Sequence, residues 1–159
     1  MKSRVYTDTS VIGGCEDEEF REPSQRLISA FVSGQLKLVL SELTLRELET
    51  APDPVRQVLR GVPDAHLETL LLSAEAEELA QAYIREGALG PRMLVDALHL
   101  AVATVARVDV LVSWNFKHIV NLQRIHRYNA VNLKNGYPLL EIRTPRELVG
   151  YERDREEEV

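Results

Sequence analysis

The sequence predicts an α/β domain built on a mainly parallel sheet. Short apolar runs suited to strands alternate along the chain with helix-forming segments. The two clearest runs, Leu36-Lys37-Leu38-Val39-Leu40 and Asp109-Val110-Leu111-Val112-Ser113, are nearly continuous in apolar character, as strands covered on both faces are. A length of 159 residues with 45% apolar content is enough for one sizeable core.

Val5-Tyr6-Thr7 reads as a first short strand ending at Asp8-Thr9-Ser10, with Gly13-Gly14 soon after. Residues 25–33 form a helix stopped by Gly34. The strand 36–40 ends at Ser41, and a helix follows through Glu47 to stop before Pro52. Residues 54–59 give a short helix. Residues 66–72 read as a strand, partly because Ser73 then caps the next helix, which runs to Glu86 and ends at Gly87. Past Gly90-Pro91 comes the helix carrying Asp96, then the strand 109–113, a helix over 119–130, a last strand at 139–142 and a helical turn at 145–148. The domain covers residues 1–150, and the acidic tail 151–159 is expected to fray.

Composition narrows the function. No apolar run is long enough to cross a bilayer, the first residues lack a signal peptide's apolar region, and the default expectation is a cytoplasmic protein with no membrane partner. The single cysteine, Cys15, excludes an internal disulfide framework and a cysteine-rich zinc site. Beside a run of acids, it also has nothing to activate it as a nucleophile. The net charge of -6 argues against indiscriminate nucleic-acid binding, but charge is unevenly spread. Between Arg107 and Arg146 the chain also carries Lys117, Arg124, Arg127, Lys134 and Arg143, opposed only by Asp109 and Glu141.

Asp96 is the most telling residue. Residues 92–103 are apolar on nearly every face, so the helix should be buried, and a buried carboxylate needs a cation or a hydrogen-bond network. Asp8 lies at the carboxyl end of the first strand, where parallel sheets bind ligands, and Glu47 follows the end of the second. Ser113 ends the strand 109–113 and Asn115 follows it. Three hard-oxygen acids at one sheet edge suit Mg²⁺ or Mn²⁺ rather than zinc, and such ions serve phosphodiester chemistry.

In order along the chain, Val5-Tyr6-Thr7-Asp8-Thr9-Ser10, Ser41-Glu42-Leu43-Thr44-Leu45-Arg46-Glu47-Leu48, Asp96-Ala97-Leu98-His99-Leu100-Ala101-Val102-Ala103 and Val110-Leu111-Val112-Ser113-Trp114-Asn115-Phe116 resemble the successive signatures of PIN domains. The resemblance implies a three-layer α/β/α sandwich and a Mg²⁺- or Mn²⁺-dependent endoribonuclease of the kind found as VapC toxins in type II toxin–antitoxin pairs. It implies Asp8 and Asp96 as principal metal ligands, with Glu47 completing the catalytic acids directly or through water. Thr9 or Ser10 would orient the first loop. Asn115 stands where PIN domains often carry an acid after the residue matched by Ser113. Its carbonyl oxygen can coordinate a metal or hold a bound water, but it adds no charge, so a second metal should bind more weakly. His118 is a supporting residue that would contact a phosphate or assist proton transfer. Lys117, Arg124, Arg127 and Lys134 would track the RNA backbone. An antitoxin protein and a homodimer are the other expected partners.

Each residue also has a plainer explanation. Asp8 would cap the following helix. Glu47 would form a capping box with Thr44, with Glu42 and Glu49 as competing acids. Asp96 would pair with Arg92 or His99 at helical spacing. Asn115 would cap a turn, Trp114 would be core or rim, and His99 and His118 would be structural. At the level of the whole protein, the rivals are a degenerate PIN-fold binding module and a metal-dependent phosphohydrolase of small molecules.

Overall fold

The computed structural model describes residues 2–158. Five strands, β1 (Arg4–Thr7), β2 (Lys37–Ser41), β3 (Leu67–Leu70), β4 (Val110–Val112) and β5 (Ile142–Arg143), form one sheet in the order β3-β2-β1-β4-β5. Every neighbouring pair is parallel. Parallel pairing requires crossovers, and the helices that make them cover both faces.

Side-chain alternation in the strands divides the core. Tyr6, Val39, Leu111 and Ile142 face one layer, formed by α5 (Ala74–Arg85), α6 (Leu94–Val105) and α7 (Leu122–Lys134). Val5, Leu38, Leu40, Val110 and Val112 face the other, formed by α1 (Thr9–Gly14), α2 (Arg21–Ser33) and α4 (Asp53–Val58), with Leu148 and Val149 of α8 (Pro145–Glu158). The short α3 (Glu42–Leu48) leaves the carboxyl end of β2 and sends Leu43 to one layer and Leu48 to the other. The architecture is the three-layer sandwich expected from the sequence.

β1 lies at the centre, and the chain moves out from it first through β2 and later through β4. The β1–β4 boundary is therefore the topological switch point, where ligand crevices form beyond the strand ends. The register pairs Thr7 with Val112, so Asp8 and Ser113 emerge side by side from the sheet.

Several boundaries differ from those the sequence suggests. α2 begins four residues early, at Arg21, because Pro23 sits in its first turn, where a missing N–H costs nothing. α7 begins only at Leu122, where Asn121 accepts a hydrogen bond from the Arg124 amide and caps the helix. Residues 115–120 instead make a tight turn closed by the Asn115 carbonyl, which accepts from the Ile119 and Val120 amides. The last strand is only Ile142–Arg143, since Pro138 and Leu139 are exposed and unpaired with the sheet. Where one helical turn followed by a fraying tail is expected, the backbone stays helical through Glu158.

Gly14 ends α1 against two neighbours. A Cβ there would lie 2.5 Å from the Ser24 hydroxyl and 2.8 Å from the Trp114 indole nitrogen, which are hydrogen-bonded to each other. Gly13 has no such neighbour. Gly14→Ala should therefore lower the unfolding free energy by about 1–3 kcal/mol. Gly13→Ala should be neutral or slightly stabilising. Urea titration of both variants measures the contrast.

Candidate active site

Asp8 is 6% exposed and its carboxylate is clamped by two serines. Ser10 Oγ donates to Oδ1 and Ser113 Oγ to Oδ2, each at 2.6 Å. The clamps are themselves fixed: Ser10 Oγ accepts from the Trp114 amide and Ser113 Oγ from the Asn115 amide, both at 2.9 Å. Asp8 occupies the N-cap position of α1 without a capping hydrogen bond, although the nearby Val11 amide favours its charged form. The carboxylate is thus held mainly by Ser10 and by the loop after β4. Burial raises its pKa above the usual carboxylate value, and the two serines and His99 counter only part of that.

Asp96 departs from its expected burial. It sits in the first turn of α6, where Leu94 and Val95 are 37% and 49% exposed, and its own side chain is 23% exposed. The apolar stretch 92–103 is buried only from Ala97 onward, with Leu98 partly exposed. Arg92 is not its partner. Oδ2 lies 3.3 Å from His118 Nδ1, and Oδ1 lies 3.5 Å from Asn115 Nδ2, long for a hydrogen bond. Partial burial raises the Asp96 pKa, with opposition from His118 and His99 and reinforcement from Glu47.

Glu47 is not in a capping box. Ser41, not Thr44, precedes the first turn of α3, and the Thr44 hydroxyl is buried without a geometrically sound partner. Glu47 Oε1 instead lies 2.8 Å from His99 Nε2. That bond outweighs desolvation and lowers the Glu47 pKa. The Thr9 hydroxyl also favours the charged form, although it forms no hydrogen bond of good geometry. Of the competing acids, Glu42 is taken up by the Leu72 amide and Arg46, and Glu49 is exposed at the end of α3.

The loop after β4 joins the two aspartates. Ser113 holds Asp8, the Asn115 amide holds Ser113, and the Asn115 side chain points its amino group at Asp96. Asn115 Oδ1 accepts from the His118 amide at 2.9 Å, so its carbonyl closes a turn, as the plainer explanation expects. Trp114 is 6% exposed, stacked on Phe20 at 4.2 Å, and belongs to the core rim.

His99 sits among the acids. It is 2% exposed, and it lies within electrostatic reach of Asp8, Asp96 and Glu47 alike. The sequence marks His99 as structural, three residues from Asp96. Its contact with Glu47, 52 positions earlier, leaves no trace in local spacing.

Among the described residues, no three His, Cys, Asp or Glu side chains gather closely enough to cage a metal ion. Glu47 faces His99 instead of completing a triad of ligands. The remaining donors are hard oxygens of Asp8 and Asp96. Mg²⁺ keeps most of its waters and needs only one or two carboxylates, so the pair fits such an ion.

The expected RNA-contacting residues divide. Lys117 and Arg127 are exposed. Arg124 is tied to the Ala88 carbonyl at 3.2 Å, and Lys134 is paired with Glu86 at 2.5 Å. Two surface grooves, of about 820 and 980 Å³, lie beside α5 and between α2 and α8, and neither is lined by Asp8, Glu47 or Asp96.

No protein-family model matches the chain, and no curated protein matches it by sequence. Solved structures do. A chain of DNA-bound VapBC from Salmonella typhimurium superposes with a TM-score of 0.56 at 18% identity, over 91% of this chain and 99% of that one. VapC20 of Mycobacterium tuberculosis, described as a Sarcin-Ricin loop cleaving toxin, gives 0.55 at 16%, over 72% and 92%. A chain of Rickettsia felis VapBC2 bound to a promoter DNA fragment gives 0.54 at 14%, over 89% and 98%. The chain has a VapC-like PIN fold. The PIN fold accounts for the strand order.

The raised Asp8 pKa has a testable sign. The folded protein holds this proton more tightly than the unfolded chain, so the group's contribution to stability is greatest below its unfolded pKa. It declines as pH rises through the folded value. Asp8→Asn removes that burden; one serine can go on donating to the amide oxygen while the other reverses to accept from the amino group. The variant should unfold at higher urea than the metal-free parent at pH 7, with the gain vanishing below about pH 4, the usual carboxylate range. Urea midpoints across pH measure it.

Proposed function

We propose that this chain is a divalent-metal-dependent endoribonuclease that hydrolyses RNA phosphodiester bonds and acts as the toxin of a type II toxin–antitoxin pair. The observation that carries the reading is the clamped, desolvated Asp8 at the β1–β4 switch point, tied through Ser113 and Asn115 to Asp96. Two carboxylates with raised pKa values, linked through one loop, are what a bound Mg²⁺ or Mn²⁺ would stabilise.

Asp8 and Asp96 would hold the ion. When bound, it supplies an activated water and neutralises charge on the scissile phosphate. Ser10 and Ser113 keep the Asp8 oxygens aimed. Asn115 keeps Asp96 from rotating away without adding charge, and it would itself ligate only after its amide turned over. Glu47, ionised and exposed at the crevice edge, is placed to orient or accept a proton from water. His118, beside Asp96, would steady that carboxylate or meet a phosphate. Lys117 and Arg127 are free to follow an RNA backbone, whereas Arg124 and Lys134 would have to leave their present partners.

The same reading includes a covering antitoxin and self-association into a dimer. Exposed Leu45, Leu94, Val95 and Phe116 lie close in sequence to Glu47, Asp96 and Asn115, an apolar fringe that a partner could bury. One rival keeps an observation of its own. The neutral Asn115 and the lack of a three-acid cage among the described residues favour a degenerate binding module.

Asp96→Asn should abolish Mn²⁺-stimulated cleavage of an RNA oligonucleotide panel while leaving the circular dichroism melt unchanged, and chelator should abolish cleavage by the parent. Cleavage indifferent to both would refute the nuclease. Absence of any Mn²⁺ heat at millimolar metal in calorimetry would favour the binding module.

A further inference from the structure

We propose that His99 is the positioning residue for Glu47, and that a buried hydroxyl chain, Ser41 to Tyr6 to His99, sets which imidazole nitrogen faces the crevice; the inference rests on the nuclease reading for its catalytic consequence only. Glu47 is 40% exposed on a seven-residue helix. A glutamate so placed would sample many rotamers in water. It has one strong tether, His99 Nε2 at 2.8 Å.

The imidazole is itself held from behind. His99 Nδ1 lies 2.6 Å from the Tyr6 hydroxyl, which lies 2.8 Å from Ser41 Oγ. Tyr6, Ser41 and His99 are all essentially buried, and the two rings meet edge-on at 5.8 Å. An ionised carboxylate only accepts, so Nε2 carries the hydrogen toward Glu47. Nδ1 is then the acceptor for the Tyr6 hydroxyl, whose oxygen accepts in turn from Ser41. Donation runs one way, from the end of β2 through β1 to α6 and out to α3. Each link comes from a different element, so packing of the sheet against α6 is converted into the orientation of one exposed carboxylate. Orienting groups behind a functional side chain fix its tautomer in the same manner at metal sites.

A purely structural role would treat His99 as packing volume joined to three elements. The two roles separate by variant. His99→Gln keeps a donor near the Nε2 position, and His99→Met keeps volume without one. In metal-free, ¹⁵N-labelled protein, long-range ¹H–¹⁵N spectra should show His99 protonated at Nε2 and not at Nδ1. Glu47→Gln should move the Nε2 resonance, and Tyr6→Phe should shift the proton partly to Nδ1. In Mn²⁺-dependent cleavage, His99→Met should lose about 10–100-fold in kcat with little change in KM, and His99→Gln should recover most of it. A Nδ1-protonated or doubly protonated His99 in the parent, or an Nε2 resonance blind to Glu47→Gln, would overturn the proposal. So would equal losses in the Met and Gln variants. A parent that cleaves no RNA would sink the nuclease reading alone, since the spectra still decide whether His99 is set as described.

Discussion

The structure depends on one buried charge and the two hydroxyls that hold it. Asp8 leaves the central strand at a point where its neighbours are strand ends, two serines and a helix that it does not cap. A carboxylate there costs desolvation that two neutral hydrogen bonds do not fully return, which is why its pKa rises. That arrangement is poor for stability, and a bound cation would offset its cost. The fold retains it at the switch point of its sheet, where the register delivers Ser113 to the same spot.

Around this point, separate elements contribute one group each. α6 supplies Asp96 and, one turn on, His99; α3 supplies Glu47; the loop after β4 supplies the Asn115 and His118 contacts that steady Asp96. The helices themselves are positioned by ordinary packing, with Leu100, Ala101 and Ala103 of α6 fully buried and Leu43 and Leu48 anchoring α3 in both core layers. Site geometry is thus inherited from the core. The proposed nuclease would draw on rigid secondary structure for its acids and on one short loop for their mutual orientation.

Much of this was legible in the chain because it obeys local rules. Residues 36–40 and 109–113 are apolar enough to be buried parallel strands, Ser73 caps α5 through the Ala76 amide, and Gly34 ends α2 with a positive φ. The acids stand out because they follow strands or interrupt an apolar helix. What escaped is non-local. Spacing suggested that Asp96 was buried, but the preceding turn at Pro91–Met93 lifts the start of α6 to the surface. Glu47 was readable as a ligand or a cap, and its actual partner, His99, is set by how α3 docks on α6. The plainer reading of Asn115 as a turn residue holds, but the turn it closes runs on through 119 and 120, which read as the start of the helix, because the Ile119 and Val120 amides are taken up by the Asn115 carbonyl.

The central claim is that Asp8 and Asp96 share one divalent cation. A crystal soaked in Mn²⁺, with data collected at the manganese absorption edge, tests it directly. The account predicts an anomalous peak within bonding distance, about 2.0–2.3 Å, of a carboxylate oxygen from each residue, with water completing the shell. Aspartates that turn to separate pockets, or a peak that touches neither of them, would contradict it.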